Sequence, residues 1–422
     1  MSDILDELEW RGLIAQSTDR DAIGAALAAG PVTYYCGFDP TAPSLHHGHL
    51  VQLILLRHLQ RAGHRAIALV GGATGLIGDP RMSGERTLND REVVSEWTQR
   101  LRAQIERLLD FEGDNAAQMV NNLDWTDGLS AIDFLREVGK HYRLGTMLAK
   151  DTVARRLASD EGISFTEFSY QILQGMDFLE LYRRHGCTLQ TGGNDQWGNL
   201  LSGVELVRKT EGATVHALTT PLITKADGTK FGKSEGGAVW LAPDMMSPYA
   251  FYQFWLNTED ADVERFLKIF TFRSREEIAE LAAAVAERPQ AREGQRVLAQ
   301  DVTTLVHGAE ATERVERASR ALFGRGDLHE LDPETLTHAV AELPRGEGVA
   351  GESNVVDLLV STGLAAGRSA ARRTIADGGA YLNNVKVTDE DHVVTSEDLL
   401  AGRWVLLRRG RRNLAVAEVA PA

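Results

Sequence analysis

Residues 31–50, PVTYYCGFDPTAPSLHHGHL, constrain this chain more than any other stretch, because they join a strand pattern, a tight loop and the first turn of a helix. Val32–Phe38 is rich in β-branched and aromatic residues, Asp39–Ser44 is turn material, and Gly48–Arg61 repeats its apolar residues at helical spacing. Ala62-Gly63 closes that helix, and Ala66–Val70 is a short apolar strand. A strand, crossover helix and strand in an open sheet means parallel pairing with a right-handed connection. Ligands bind such sheets at the carboxyl ends of the strands. His46 and His49 lie at the helix start, where free N–H groups and the dipole attract phosphate. Either histidine alone would pass as a surface or packing residue; the junction singles them out. Zinc is the weaker reading, since spacing marks no third ligand and the His-Glu-x-x-His pattern is missing.

At this point the residues become recognisable. Tyr35-Cys36-Gly37-Phe38-Asp39-Pro40-Thr41-Ala42 followed by His46-His47-Gly48-His49 resembles the first signature of the class I aminoacyl-tRNA synthetases, in the form carried by their bacterial tyrosine-specific members. The rest of the chain extends the likeness. Gly71-Gly72-Ala73-Thr74-Gly75-Leu76-Ile77-Gly78-Asp79-Pro80 follows a strand but lacks the Gly-x-Gly-x-x-Gly spacing of a dinucleotide fold. It resembles instead the family's glycine-rich stretch, whose aspartate, here Asp79, helps bind the amino acid's ammonium. In the loop beyond it Arg86 matches the family, whereas the lysine expected before it is missing, and Arg81 is the nearest cation.

Ser164–Tyr182 has helical periodicity, and Tyr170, Gln174 and Asp177 recur on one face of it. A core face seldom carries such a row without a ligand, because buried polar groups need partners. By resemblance these residues form a tyrosine pocket: Tyr170 and Gln174 face the ammonium, Asp177 and Tyr35 face the phenol, and Gln190 completes the wall. Gln190–Asn199 resembles the strand and loop that hold substrate and ribose. Lys230-Phe231-Gly232-Lys233-Ser234 is not a P-loop, because only three residues separate Gly228 from Gly232. It resembles the second class I signature, a flexible loop whose ammonium groups close on the migrating pyrophosphate.

The resemblance implies a catalytic set of His46, His49, Lys230, Lys233 and Arg86. It implies an ATP site drawn from Gly37, Asp39, Thr41, His46, Gly48, His49, Gly193, Asp195 and Gln196, together with Lys230, Phe231, Gly232, Lys233 and Ser234. ATP is then a substrate accompanied by Mg2+, with no tightly bound cofactor and no protein-held metal. The central region, 92–125, would lie near a dimer interface.

The fold class expected is α/β: a Rossmann-like parallel-sheet catalytic domain, an all-α domain and a small α+β RNA-binding domain. The boundaries expected are 1–236 for the catalytic domain, 237–325 for the helical anticodon-side domain, 326–352 for a linker rich in glycine, and 353–422 for a domain like that of a ribosomal small-subunit protein. In that last segment Tyr381–Val387 reads as a hairpin turning at Asn383-Asn384. Arg368, Arg372 and Arg373, with Arg408 and Arg409, would supply the face that grips tRNA.

Composition agrees with this without requiring it. The 422 residues suffice for two or three domains, and 43% hydrophobic with 25% charged is ordinary for a globular protein. A formal charge of −15 argues against wholesale coating of nucleic acid, though local basic patches can still hold RNA. Cys36 and Cys187 give no disulfide framework and are expected as free thiols. No apolar run reaches the roughly 18 residues needed to span a bilayer, and the N-terminus is acidic, so a cytoplasmic location is expected. The implied activity is tyrosine–tRNA ligation, with L-tyrosine, ATP and tRNA(Tyr) as partners and a homodimer as the assembly. A tryptophan-specific ligase shares the scaffold; Tyr35 and Asp177, which can bond a phenol, argue against it. A non-enzymatic RNA-binding derivative is the other alternative.

Overall fold

The computed structural model describes residues 3–81, 84, 87–229, 231–234, 237–341, 343–410 and 413–420, with Lys233 and Ser234 described by backbone only. The chain forms two compact units. The first comprises Met1–Met246 and Asn257–Val306, the second Ser247–Leu256 and His307–Ala422.

The first unit is built on a six-stranded sheet of β1 (Gln16–Ser17), β2 (Thr33–Phe38), β3 (Arg65–Val70), β4 (Gln118–Asn121), β5 (Leu189–Gly193) and β6 (His216–Thr220). Its order is β1-β6-β5-β2-β3-β4, all parallel except the edge strand β1. From β2 the chain winds to β3 and β4 on one side, then returns with β5 on the other, so β2 and β5 flank the point where the winding reverses. Such a point is where an α/β sheet opens a crevice for ligands. Tyr34, Tyr35, Cys36 and Phe38 of β2 are all buried, as expected for a strand covered on both faces.

Helices α1 (Ile4–Trp10) and α2 (Arg20–Ala29) flank β1, so the expected helical leader is interrupted by an edge strand. The crossover α3 (His47–Arg61) packs on β2 and β3, and α4 (Arg91–Ile105) packs on β3. The expected strand at Val120–Trp125 stops at Asn121, and a single turn, α5 (Leu123–Thr126), follows. It starts there because the Asn121 Oδ1 accepts from the Leu123 N–H. Short helices α6 (Ala131–Asp133), α7 (Leu144–Leu148) and α8 (Asp151–Leu157) lead to the long α9 (Phe165–His185). Ser164 caps α9 by accepting from the Glu167 N–H, and Gly186, left-handed at φ 62°, ends it. Helix α10 (Trp197–Glu211) packs along α9.

A small hairpin, β7 (Lys233–Ser234) with β8 (Gly237–Ala238), precedes a helical stretch. Helix α11 (Pro248–Leu256) belongs to the second unit, whereas α12 (Asp260–Phe270), α13 (Arg275–Glu287) and most of α14 (Glu293–His307) belong to the first. The two compact units thus divide the expected helical segment 237–325 between them. Helical periodicity identified the helices correctly, but it carries no information about which core each one joins.

In the second unit α11 packs on α15 (Ala309–Leu322) and α16 (Pro333–Val340). A five-stranded sheet, β9 (Arg345–Val349) through β13, has the order β11-β10-β12-β13-β9, with β10 (Ala380–Leu382), β11 (Val385–Lys386), β12 (Trp404–Arg409) and β13 (Asn413–Ala420). Helices α17 (Val355–Ser361) and α18 (Arg368–Ala376) cover it. The segment 326–352 is thus folded and is not a linker: it supplies α16 and the strand β9, which pairs in parallel with β13. Its glycines serve close packing. A Cβ at Gly346 would lie 2.5 Å from the Ser361 Oγ, and one at Gly348 would lie 2.7 Å from the Leu358 Cδ2. The Asn383-Asn384 hairpin forms as expected, with φ of 46° and 67° at its two turn residues.

Candidate active site

The two lysine- and histidine-bearing motifs lie almost 190 residues apart in sequence, and tertiary pairing brings them together. The His47 N–H donates to the Val239 carbonyl at 2.9 Å, the Leu241 N–H donates to the Leu45 carbonyl at 2.9 Å, and His46 bridges Trp240. Phe231, buried against Phe266 at 4.5 Å, sets its ring edge-on to His47 at 5.4 Å. Gly232, at φ 82°, lies so close that a Cβ there would sit 1.9 Å from the His47 ring. Only glycine fits that approach.

His46 and His49 behave differently from the expectation. The Gly48 N–H donates to the His46 Nδ1 at 3.0 Å, and the His46 N–H donates to the His49 Nδ1 at 3.2 Å, so two imidazoles form the capping box of α3. Helix-end N–H groups expected to await phosphate are thus partly taken by the histidines themselves. The two rings stack at 4.0 Å. Burial, and the neighbouring His46 and His47, hold the His49 pKa well below the ordinary histidine value, so at neutral pH it is uncharged. Gly37 is exposed near the end of β2, and Thr41 donates its N–H to the Asp39 carbonyl in the loop between strand and helix.

The pocket residues converge at the reversal point. Tyr35 of β2 stands directly opposite Gln190 of β5, so both side chains share a face of the sheet. Tyr35 packs its ring on Phe178 at 5.3 Å. Asp177, on α9, accepts from the Trp125 Nε1 at 2.9 Å and from the Asn122 Nδ2 at 3.1 Å. Burial pushes its pKa up to about 7 against those two hydrogen bonds, which stabilise the carboxylate, and the negative charges of Asp39 and Glu180 add to the rise. Among the described residues, the hydroxyl of Tyr35, the Gln174 Oε1 and the Gln190 Oε1 are buried without a hydrogen-bond partner. Tyr35 lies close enough to Asp177 for the carboxylate's charge to act on its hydroxyl, and buried oxygens left unpaired among the described residues suit a polar ligand.

Tyr170 differs from the expectation in detail. Its hydroxyl donates to the Asp39 Oδ2 at 2.7 Å, while the Thr74 hydroxyl donates to the Asp39 Oδ1 at 2.7 Å. Asp39, expected at the ATP site, is therefore bonded to Tyr170, a residue expected to face the amino acid. Close backbone approach makes this possible, since a Cβ on Gly71 would lie 2.0 Å from the Asp39 Oδ1. Asp79 accepts from the Gln196 Nε2 at 2.9 Å and from the Asn199 Nδ2 at 3.2 Å, which joins it to the loop carrying Gly193 and Asp195. Lys150 donates to the Asn199 Oδ1. Burial lowers the Lys150 pKa, and the charge of Asp79 opposes that shift.

Arg86 and Lys230 fall outside the described residues; Lys233 and Ser234 lie in β7. Arg81 is exposed. Asn122, Trp125, Thr74, Asn199 and Lys150 were not singled out from the sequence. For Asn122 and Trp125 a signal existed, since both follow the carboxyl end of a parallel strand, and Asn199 ends the stretch that resembles the family's substrate loop; Lys150 carried none. In the second unit Arg368, Arg372 and Arg373 lie exposed on α18 and Arg409 is exposed at the end of β12. Arg368 pairs with Asp357 at 3.0 Å and Arg372 with Glu390 at 3.6 Å. Arg408 lies over the Tyr381 ring at 4.0 Å, and Arg409 donates to the Leu364 carbonyl at 2.8 Å.

Comparison with known proteins assigns this arrangement. The profile of the tRNA synthetases class I (W and Y) matches residues 27–324, and the chain belongs to that family. A second profile, the tyrosine–tRNA ligase SYY-like C-terminal domain, matches residues 335–417. Within the family the chain falls with the bacterial tyrosine–tRNA ligases. It is 66% identical over 420 residues to the tyrosine–tRNA ligase of Streptomyces avermitilis, covering 99% of each chain. It is 60% identical over 418 residues to that of Mycobacterium tuberculosis, covering 98% of each. Among solved structures, a C-terminally truncated mitochondrial tyrosyl-tRNA synthetase of Coccidioides posadasii aligns with a TM-score of 0.66 at 34% identity, over 75% of this chain and 91% of that one. A tryptophanyl-tRNA synthetase of Encephalitozoon cuniculi shares the fold, with a TM-score of 0.53 at 14% identity over 73% of this chain and 87% of that one.

Proposed function

We propose that this ligase activates L-tyrosine with ATP in the crevice between β2 and β5 and then transfers it to the 3′ end of tRNA(Tyr). The observation that carries the reading is the buried Tyr35 hydroxyl within reach of the Asp177 charge, with the Gln174 and Gln190 side-chain oxygens buried and unpaired among the described residues. Tyr35 and Asp177 bond the substrate phenol. Asp79, Tyr170 and Gln174 receive its ammonium, and Gln190 completes the wall. The tyrosine carboxylate attacks the α-phosphate of ATP; the bond to the bridging oxygen breaks, and pyrophosphate leaves with the electron pair. The carboxylate is already a nucleophile, so no enzyme base is needed, and orientation and charge stabilisation carry the step. His46, His49, Lys230, Lys233 and Arg86 stabilise the charge that develops on the phosphates. Gly37, Thr41, Gly48, Gly193, Asp195 and Gln196, with Phe231, Gly232 and Ser234, form the ATP cradle. Mg2+ enters with ATP and is held mainly by its phosphates. In the second step a hydroxyl of the terminal ribose attacks the activated carbonyl and AMP leaves.

The second unit binds tRNA through Arg368, Arg372, Arg373, Arg408 and Arg409, on the anticodon side with the helices that precede them. The protein works as a homodimer, which the exposed Ile132, Leu135, Leu144, Leu148 and Phe165 support: they gather within one stretch of the first unit. A cytoplasmic location is part of this reading and accords with the bacterial relatives it resembles. ATP–pyrophosphate exchange across the twenty amino acids tests the reading. Exchange with tyrosine alone is expected; exchange driven better by tryptophan or phenylalanine would overturn it. Sedimentation of the intact chain beside Leu144→Lys tests the assembly, with a shift toward monomer expected.

A further inference from the structure

Asp79 is met by two amides from a distant segment of the first unit. The Gln196 Nε2 donates to its Oδ2 at 2.9 Å, and the Asn199 Nδ2 donates to its Oδ1 at 3.2 Å. Asn199, buried at 2% exposure in the first turn of α10, also donates to the Gln196 Oε1 at 2.8 Å, so the two amides are bonded to each other as well as to the carboxylate. On its other side Asn199 meets Lys150, whose ammonium donates to the Asn199 Oδ1.

An amide carries a donor at one end and an acceptor at the other, and only the donor end can bind a carboxylate. A lysine ammonium donates and cannot accept, so Lys150 takes the oxygen of Asn199 and leaves the Nδ2 to face Asp79. One Nδ2 hydrogen goes to Asp79 and the other to Gln196, whose oxygen is thereby engaged and whose nitrogen is left to donate to Asp79. The direction of every bond in the chain is thus set at Lys150. That lysine does not serve the helix it precedes: it stands immediately before α8, where its charge opposes the positive end of the helix dipole. Its stem lies along α10 instead, since a Cβ on Gly198 would come within 2.6 Å of the Lys150 Cε. Burial lowers the Lys150 pKa and the charge of Asp79 opposes that shift, so the two charges act on each other.

We infer that Lys150 is a positioning residue for tyrosine binding: through Asn199 and Gln196 it holds the Asp79 carboxylate in the orientation that receives the substrate ammonium. This rests on the assignment of Asp79 proposed above. With an amide on each oxygen the plane of the carboxylate is fixed before the substrate arrives, and less ordering is left to weaken binding.

The test uses equilibrium binding of three ligands to the intact protein: tyrosine, tyramine, which keeps the ammonium and lacks the carboxylate, and hydroxyphenylpropanoate, which keeps the carboxylate and lacks the ammonium. Lys150→Met removes the donor and keeps the stem; Asn199→Leu breaks the chain of bonds from its other end and reads the same effect independently. Each is expected to weaken tyrosine and tyramine by about three- to tenfold, the span of one hydrogen bond's net worth, and to change hydroxyphenylpropanoate by less than about twofold. In the Asn199→Leu background Lys150→Met should add little, because Lys150 acts through that amide. Equal losses for all three ligands would overturn the inference by making Lys150 a support of the whole pocket. A loss for hydroxyphenylpropanoate with tyramine unchanged would overturn it by placing Lys150 on the substrate carboxylate, and full multiplication of the two variants' losses would overturn the route through Asn199. Asp79→Asn separates this inference from the reading beneath it. If that variant binds tyramine normally, the Asp79 assignment falls and the role of Lys150 with it; if it weakens tyramine while Lys150→Met does not, the inference falls and the assignment stands.

Discussion

The two ends of the proposed site, one assigned to tyrosine and the other to ATP, are built on different principles. The tyrosine end is a buried network of side chains on rigid elements: Tyr35 on β2, Gln190 on β5 and Asp177 on α9, with Asn122 and Trp125 fixing the carboxylate. The ATP end is made of backbone and loops, with Gly232 pressed against His47, two histidines closing a helix start, and Lys233 carried on the short strand β7. Recognition of a phenol requires desolvated, oriented partners, whereas stabilising a migrating pyrophosphate requires cations that can move with it. Substitutions at the two ends should therefore fail in different ways.

The sharpest division comes from His49→Ala or Lys233→Ala, which should lower adenylate formation on the order of a hundredfold or more while leaving tyrosine binding nearly intact. Rapid-quench measurement of the adenylate beside equilibrium tyrosine binding checks it; a variant that lost affinity and kept its rate would erase the distinction. Removing residues 343–422, a cut that spares α16 and its packing on α11, should leave pyrophosphate exchange in place. It should weaken tRNA binding by roughly ten- to a hundredfold, with a log–log salt slope shallower by about 0.7–0.9 for each phosphate that is no longer neutralised. Filter binding at several salt concentrations decides between that outcome and a tail that serves the catalytic fold.

At the tyrosine end Asp177→Asn should raise the tyrosine dissociation constant about tenfold, as expected for a lost charge-assisted bond. Discrimination against phenylalanine should narrow in parallel, under a rule for which tyrosine-specific ligases are themselves the standard example. Competition between the two amino acids in exchange assays provides the reading. The same carboxylate gives a pH signature. Its folded-state pKa is raised, to about 7 from 3.8, so the unfolded chain releases this proton at lower pH than the native one. Its contribution to stability is present below about pH 4 and is lost as pH rises through about 7. Urea unfolding at pH 5 and pH 8 should show the wild type losing more stability across that interval than Asp177→Asn. The smallest effect expected is that of Arg372→Ala, whose charge already faces Glu390 at 3.6 Å. It should reduce the salt slope of tRNA binding by at most about one unit without changing exchange.

What the sequence determined by itself was whatever depends on local pattern. Strand–loop–helix at 31–61, the helix over 164–182, the Asn-Asn hairpin and both signatures were legible because periodicity, turn chemistry and fixed spacing are written in consecutive residues. So was the α/β class, which follows from strands alternating with helices. The row Tyr170, Gln174 and Asp177 was legible for the same reason, since helical geometry alone places it on one face. What tertiary structure decided was which partner each of those groups meets. That Tyr170 bonds Asp39, that Asp177 is held by Asn122 and Trp125, and that Gly232 touches His47 depends on residues far apart in sequence meeting at the strand ends. The glycines of 345–349 suggested flexibility because a glycine marks either freedom or close approach, and only the chain packed against it tells which. The assignment of α11 to one core and of α12 and α13 to another was equally hidden, because an amphipathic helix encodes that it must be buried and does not encode against what.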